Sequence, residues 1–147
     1  MLDIPVVATG AVLRPVLLTL TAHQQLLAGL VDDAAATLDR AVEEMERQHT
    51  RFYEAEMMRM RGEILLAQSP DNAAAAEKAY REAIAIAAKQ PCRPIELRAA
   101  TSLARLLAQS GRKNDARDVL APVYAGFTEG FQYPDWQTAK TLLAELN

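Results

Sequence analysis

Two histidines, one cysteine and a scatter of carboxylates and serines are the groups in this 147-residue chain whose chemistry could reach beyond structure. Glu46 and His49 form an E-x-x-H, a spacing that offers a carboxylate and an imidazole to a metal from one helix face. A di-metal carboxylate bundle needs a second such pair and two further glutamates. His23, the other histidine, has no carboxylate three or four residues away, so Glu46 and His49 read as a solvated helix end. Cys92 lies between Pro91 and Pro94 beside Arg93, and a neighbouring cation lowers a thiol pKa. Neither histidine is placed by sequence to serve it as a base, and it reads as a passive loop cysteine. The six glycines are isolated, with no G-x-G-x-x-G and no G-x-x-x-x-G-K to cradle a phosphate. No serine elbow surrounds Ser69, Ser102 or Ser110. With no set of nucleophile, base and orienting group, the expectation is a protein that is not an enzyme and needs neither cofactor nor metal.

A surface is the remaining candidate. Thr19 and His23, then Glu56, Arg59 and Glu63, then Arg98, Thr101 and Arg105 recur at helical spacing on the first helix of three successive hairpins. In a stack of hairpins those first helices line the inner, concave side. Such a row of alternating charge has two readings. Its arginines can clamp a peptide or an acidic tail through bidentate contacts. Alternatively they pair along their own helices, as Arg59 does with Glu63 at i, i+4, a structural role of about 0.3 to 0.5 kcal/mol per exposed pair.

Seven helices are needed to present this row. Ala55, Met58, Gly62, Leu65 and Leu66, and then Ala76, Tyr80, Ala83, Ile84 and Ala87, repeat at steps of three and four on either side of a polar break at residues 68–72, which is the period of one helix face. Small residues facing larger ones let paired helices nest, as in a tetratricopeptide (TPR) hairpin. The unit recurs. Ala34, Ala76 and Ala116, which are 42 and 40 residues apart, are each followed four and seven residues later by Leu38 and Ala41, Tyr80 and Ala83, and Leu120 and Val123. That period exceeds the TPR standard of about 34, which predicts long helices and irregular loops. The spacing predicts helices over about 15–29, 31–48, 51–68, 70–89, 94–110, 113–125 and 134–146, with Pro122 kinking or shortening the sixth. Residues 1–14 read as a leader of uncertain structure and 15–147 as one domain.

Composition narrows the partners. The chain is half apolar with a net charge of −3 and both signs interspersed, which gives no concentrated basic face for nucleic acid. A lone cysteine fits a reducing compartment, so a cytoplasmic location is the default. The stretch from Ile4 to Leu20 is interrupted by Pro5, Gly10, Arg14 and Pro15 and reads as neither secretion signal nor membrane span. Val12, Val16, Leu17 and Leu20 have no preceding hairpin to cover them, and are expected to hide their surface in a homodimer or under upstream repeats. Trp136, Leu142 and Leu143 are expected to cover the other end of the core.

The segments at 51–67 (RFYEAEMMRMRGEILLA), 76–87 (AEKAYREAIAIA), 96–106 (ELRAATSLARL) and 116–131 (ARDVLAPVYAGFTEGF) resemble the C-terminal TPR region of bacterial multidomain signal-transduction ATPases. Some of those are fused to class III adenylate or guanylate cyclase domains or to transcriptional-activator domains. The resemblance runs from about Gly29 to the C-terminus, without the first-helix Trp and repeat-end Pro of the short consensus. It implies an all-α, right-handed superhelical stack of about three TPR-like hairpins with a C-terminal capping helix. It also implies a stand-alone adapter that binds a protein or peptide, or a tail or fragment that holds an ATPase or cyclase in check.

Overall fold

The computed structural model describes residues 6–147, with side chains from residue 10 onward. It is all-helical, with seven α-helices and no strand among the described residues. The helices are α1 (Val6–Leu27), α2 (Val31–Gln48), α3 (Glu54–Gln68), α4 (Ala73–Lys89), α5 (Arg93–Gln109), α6 (Lys113–Ala125) and α7 (Pro134–Glu145).

Their ends follow from local chemistry. Gly29 and Gly111 close α1 and α5 at φ +79°, a left-handed conformation that costs glycine little. Ser69 caps a single 3-10 turn, Pro70–Asn72, by accepting a hydrogen bond from the Asp71 N–H at 3.2 Å, and α4 follows at once. Pro94 and Pro134 stand in the first turns of α5 and α7, where a missing N–H leaves no intrahelical bond unmade.

One proline behaves differently from the sequence expectation. Helix α1 does not begin at Pro15 but runs through it from Val6. The N–H that Pro15 lacks would have met the carbonyl of Ala11, an exposed residue, where water supplies the missing donor. The leader boundary at residue 14 therefore falls inside a helix, while residues 1–5 lie outside the described residues. Pro122 sits inside α6, which runs to Ala125 as its spacing predicted, and the carbonyl it leaves without a donor belongs to exposed Asp118.

The closest pairings are α1 with α2, α3 with α4, and α5 with α6, each an antiparallel neighbour joined by a short loop. Across pairs, α1 meets α3, α3 meets α5 and α5 meets α7, whereas α2 and α4, or α4 and α6, do not approach each other. The odd-numbered helices thus touch in succession, while the even-numbered ones pack against the next odd helix, α2 on α3, α4 on α5 and α6 on α7, without close backbone approach to one another.

Small residues make these contacts. Ala34, Ala76 and Ala116, the small residues that anchor the repeat spacing, are fully buried, as are Ala22 and Ala104 on the facing helices. Tyr80 is 1 % exposed, and a Cβ built on Gly62 would overlap its ring, lying 2.8 Å from both Cδ1 and Cζ. The ring of α4 therefore fills the notch that Gly62 leaves on α3. Burial pushes the Tyr80 hydroxyl pKa up, and the nearby Glu63 carboxylate adds to the effect.

Two larger apolar clusters divide the interior. One joins α1, α2 and α3 through Ala22, Leu38, Met45, Met57 and Met60. The other joins α4, α5, α6 and α7 through Tyr80, Leu97, Leu103, Leu107 and Leu120, with Leu142 buried at its end and Trp136 and Leu143 packed against it.

A candidate peptide groove on the odd-helix layer

Side chains from all four odd-numbered helices converge on an open groove of about 490 Å³. Leu20 and His23 come from α1, Glu56 and Arg59 from α3, Arg98, Thr101, Ser102 and Arg105 from α5, and Asp135 and Thr138 from α7. Tyr53, immediately before α3, completes the wall.

An ion-pair ladder crosses it. Glu56 is 4 % exposed, and a carboxylate so buried must be compensated. Arg59 does so from one turn along α3, its Nε donating to Oε2 at 3.0 Å and its Nη2 to Oε1 at 2.8 Å, the two-pronged geometry that suits a guanidinium. Arg59 Nη1 reaches on to Glu63 Oε1 at 3.3 Å, and Ser102 Oγ donates to that same oxygen at 2.7 Å. From α5, Arg98 Nη1 donates to Glu56 Oε1 at 3.4 Å while its Nε donates to Asp135 Oδ2 at 2.8 Å. The ladder therefore runs Glu63, Arg59, Glu56, Arg98, Asp135 across three helices.

Burial by itself lowers the pKa of both arginines, but their carboxylate partners outweigh it and hold both guanidiniums above their usual value. The Tyr53 hydroxyl is held up by burial and by the charge of Glu56. Arg105, two turns beyond Arg98 on α5, is exposed and makes no ion pair among the described residues.

Of the eight residues singled out from the sequence, His23, Glu56, Arg59, Arg98, Thr101 and Arg105 line the groove. Glu63 joins the ladder from beside it. Thr19 does not face it. That residue is 1 % exposed, and its hydroxyl donates to the Pro15 carbonyl at 2.8 Å. The Thr101 hydroxyl is similarly turned to Leu97 O at 2.8 Å. Of the charged row, Arg59 is engaged within its own helix, with Glu56 and Glu63, and Arg98 is paired with Glu56 and Asp135.

Tyr53, Ser102, Asp135 and Thr138 were not foreseen. Asp135 reaches Arg98 across 37 positions of sequence, because the loop at 126–133 carries α7 back alongside α5, and no periodicity records that path.

The other chemical candidates lie elsewhere. Glu46 and His49 are exposed. His49 adopts the left-handed conformation that ends α2, its N–H donating to Glu46 O at 3.3 Å. Cys92 is half-buried in a small cluster with Ala55, Ala87 and Ile95. Among the described residues no three of His, Cys, Asp and Glu gather as a metal site, and no helix is long and apolar enough to cross a membrane. Comparison of the chain with protein-family models, curated proteins and solved structures finds no match.

Proposed function

We propose that this chain is a non-catalytic protein-interaction module of TPR-like design, an adapter whose odd-helix groove receives an extended peptide from a partner protein. In this reading the pairs α1/α2, α3/α4 and α5/α6 are three stacked hairpins of a right-handed superhelix and α7 is the cap. The observation that carries it is the convergence of side chains from α1, α3, α5 and α7 on one polar groove. Successive approach of the odd helices, without close backbone approach among the even ones, is the arrangement expected of a stack that curves with its first helices inward. The test is an array of immobilised peptides probed with the wild-type chain and with Arg98→Gln/Arg105→Gln. Neutral replacements are chosen because a new carboxylate at 98 would face Glu56 and Asp135. Peptides held by the wild type should be lost by the variant at unchanged melting temperature, and equal binding by both would remove the groove from consideration.

One feature favours a second reading, that of a regulatory tail on a signal-transduction ATPase or nucleotidyl cyclase. Val12, Leu13, Leu17 and Leu20 are between 41 % and 58 % exposed along α1, an apolar strip suited to burial against another domain or a second copy. Co-purification separates the two, since a tail should bring down its parent ATPase and an adapter unrelated chains.

A further inference from the structure

Arg98 is already occupied by a carboxylate of its own chain, and that carboxylate stands on a different helix in a solvent-exposed position. Asp135 is 41 % exposed at its side chain and Arg98 39 %. The contact uses Arg98 Nε, and Glu56 takes one Nη1 donor at 3.4 Å, so the Nη2 end makes no hydrogen bond among the described residues. Arg105 lies seven residues further along α5, which places the two guanidinium-bearing positions about 10.5 Å apart along the helix axis. On an extended chain of the polyproline-II type, with three residues per turn and a rise of about 3.1 Å per residue, carboxylates three positions apart lie on one side and are separated by about 9 Å.

We propose that the groove is a receptor for an extended acidic segment with two carboxylates three positions apart, and that Asp135 is a built-in competitor for the first of its two cations. The incoming carboxylates take the paired donors of Arg98 and the unshared donors of Arg105. Glu56 stays in place beneath, buried and held by Arg59, and keeps Arg98 oriented when Asp135 is displaced. Asp135 sets the threshold of binding, because a partner must outcompete a carboxylate that is always present at high effective concentration. This inference rests on the groove reading above and adds to it the charge and spacing of the partner.

The experiment measures fluorescence anisotropy of a labelled, end-blocked peptide carrying two glutamates separated by two alanines, against one of the same composition with the glutamates adjacent. The wild type, Asp135→Asn, Arg98→Gln and Arg105→Gln are compared, each checked for an unchanged helical melting curve. Asp135→Asn should bind the spaced peptide about two- to fivefold more tightly than the wild type, the range that loss of an exposed ion pair allows. Arg98→Gln and Arg105→Gln should each lose binding, and the adjacent-glutamate peptide should bind more weakly to every form. If Asp135→Asn binds no more tightly while Arg98→Gln still loses binding, the competitor role is wrong and the groove stands. If Arg98→Gln and Arg105→Gln bind as the wild type does, or if neither the wild type nor Asp135→Asn binds the spaced peptide, the acidic-receptor proposal falls.

Discussion

A single missing side chain decides how α3 and α4 meet. Gly62 leaves space that the Tyr80 ring occupies completely, and dispersion contacts of this kind are lost when the fit opens. Tyr80→Ala should cost on the order of 3 to 5 kcal/mol, read from chemical denaturation. Gly62→Ala should also destabilise despite the better helix propensity of alanine, because its Cβ and the ring cannot share the notch. In a Tyr80→Leu background the same change should cost less, and additive effects in this double-mutant cycle would show that the two positions do not touch. The repeat spacing made Tyr80 and the fully buried alanines legible, since small residues recurring at each turn of a helix mark the line along which a neighbouring helix comes close. Glu56 was not legible as a buried group. Nothing local distinguishes a glutamate held by two arginines from one in water, and one of its partners arrives from a position 42 residues away.

At the scale of the helix, a single buried stripe describes α2 and α4 but not α3. Ala34, Leu38, Ala41 and Met45 on α2, and Ala76, Tyr80, Ala83 and Ala87 on α4, are buried as one face. On α3 the buried set is Ala55, Glu56, Met57, Met60, Gly62 and Ile64, with Met58, Leu65 and Leu66 only partly covered. A helix packed against α4 on one side and α2 and α5 on others buries several faces, and its pattern then has no preferred direction. Between helices, Glu77 ties α4 to the start of α6, accepting from Arg81 at 2.8 Å and from Arg112 at 3.0 Å. Its pKa is lowered, chiefly by the hydrogen bond from Arg81, with burial opposing and Arg112 assisting. A carboxyl with a folded pKa below its unfolded one contributes stability that is complete above the unfolded value and is lost as pH falls through the folded one. Wild type and Glu77→Gln should therefore differ in melting temperature at pH 6 and converge only as the pH falls beneath the usual glutamate range. A constant difference across that titration would assign the effect to packing rather than charge.

Taken whole, the molecule has odd-numbered helices that touch in succession and even-numbered helices whose backbones make no close approach to one another. Its far end depends on α7 and the residue that follows it, since Ala139, Leu142 and Leu146 are buried in the cluster around Leu103 and Leu107. Arg117 on α6 also donates to the Leu146 carbonyl. Ending the chain after Gly126 should strip that cover and replace cooperative melting with a broad transition and self-association, seen by circular dichroism and sedimentation. The helix count and order were readable from prolines, glycines and periodicity, whereas the lateral placement of α7 against α5, which completes the groove, depends on contacts between residues far apart in the chain. Trp136 gives that placement a spectroscopic consequence. It is the sole tryptophan of the chain, stacked on Tyr124 with ring centroids 4.8 Å apart, edge-on to Phe131 at 5.0 Å, and with Lys140 Nζ 5.6 Å from its ring. The indole thus sits one residue from Asp135 in an asymmetric electronic environment, so its emission is an intrinsic, label-free optical reporter of whether the seventh helix is docked.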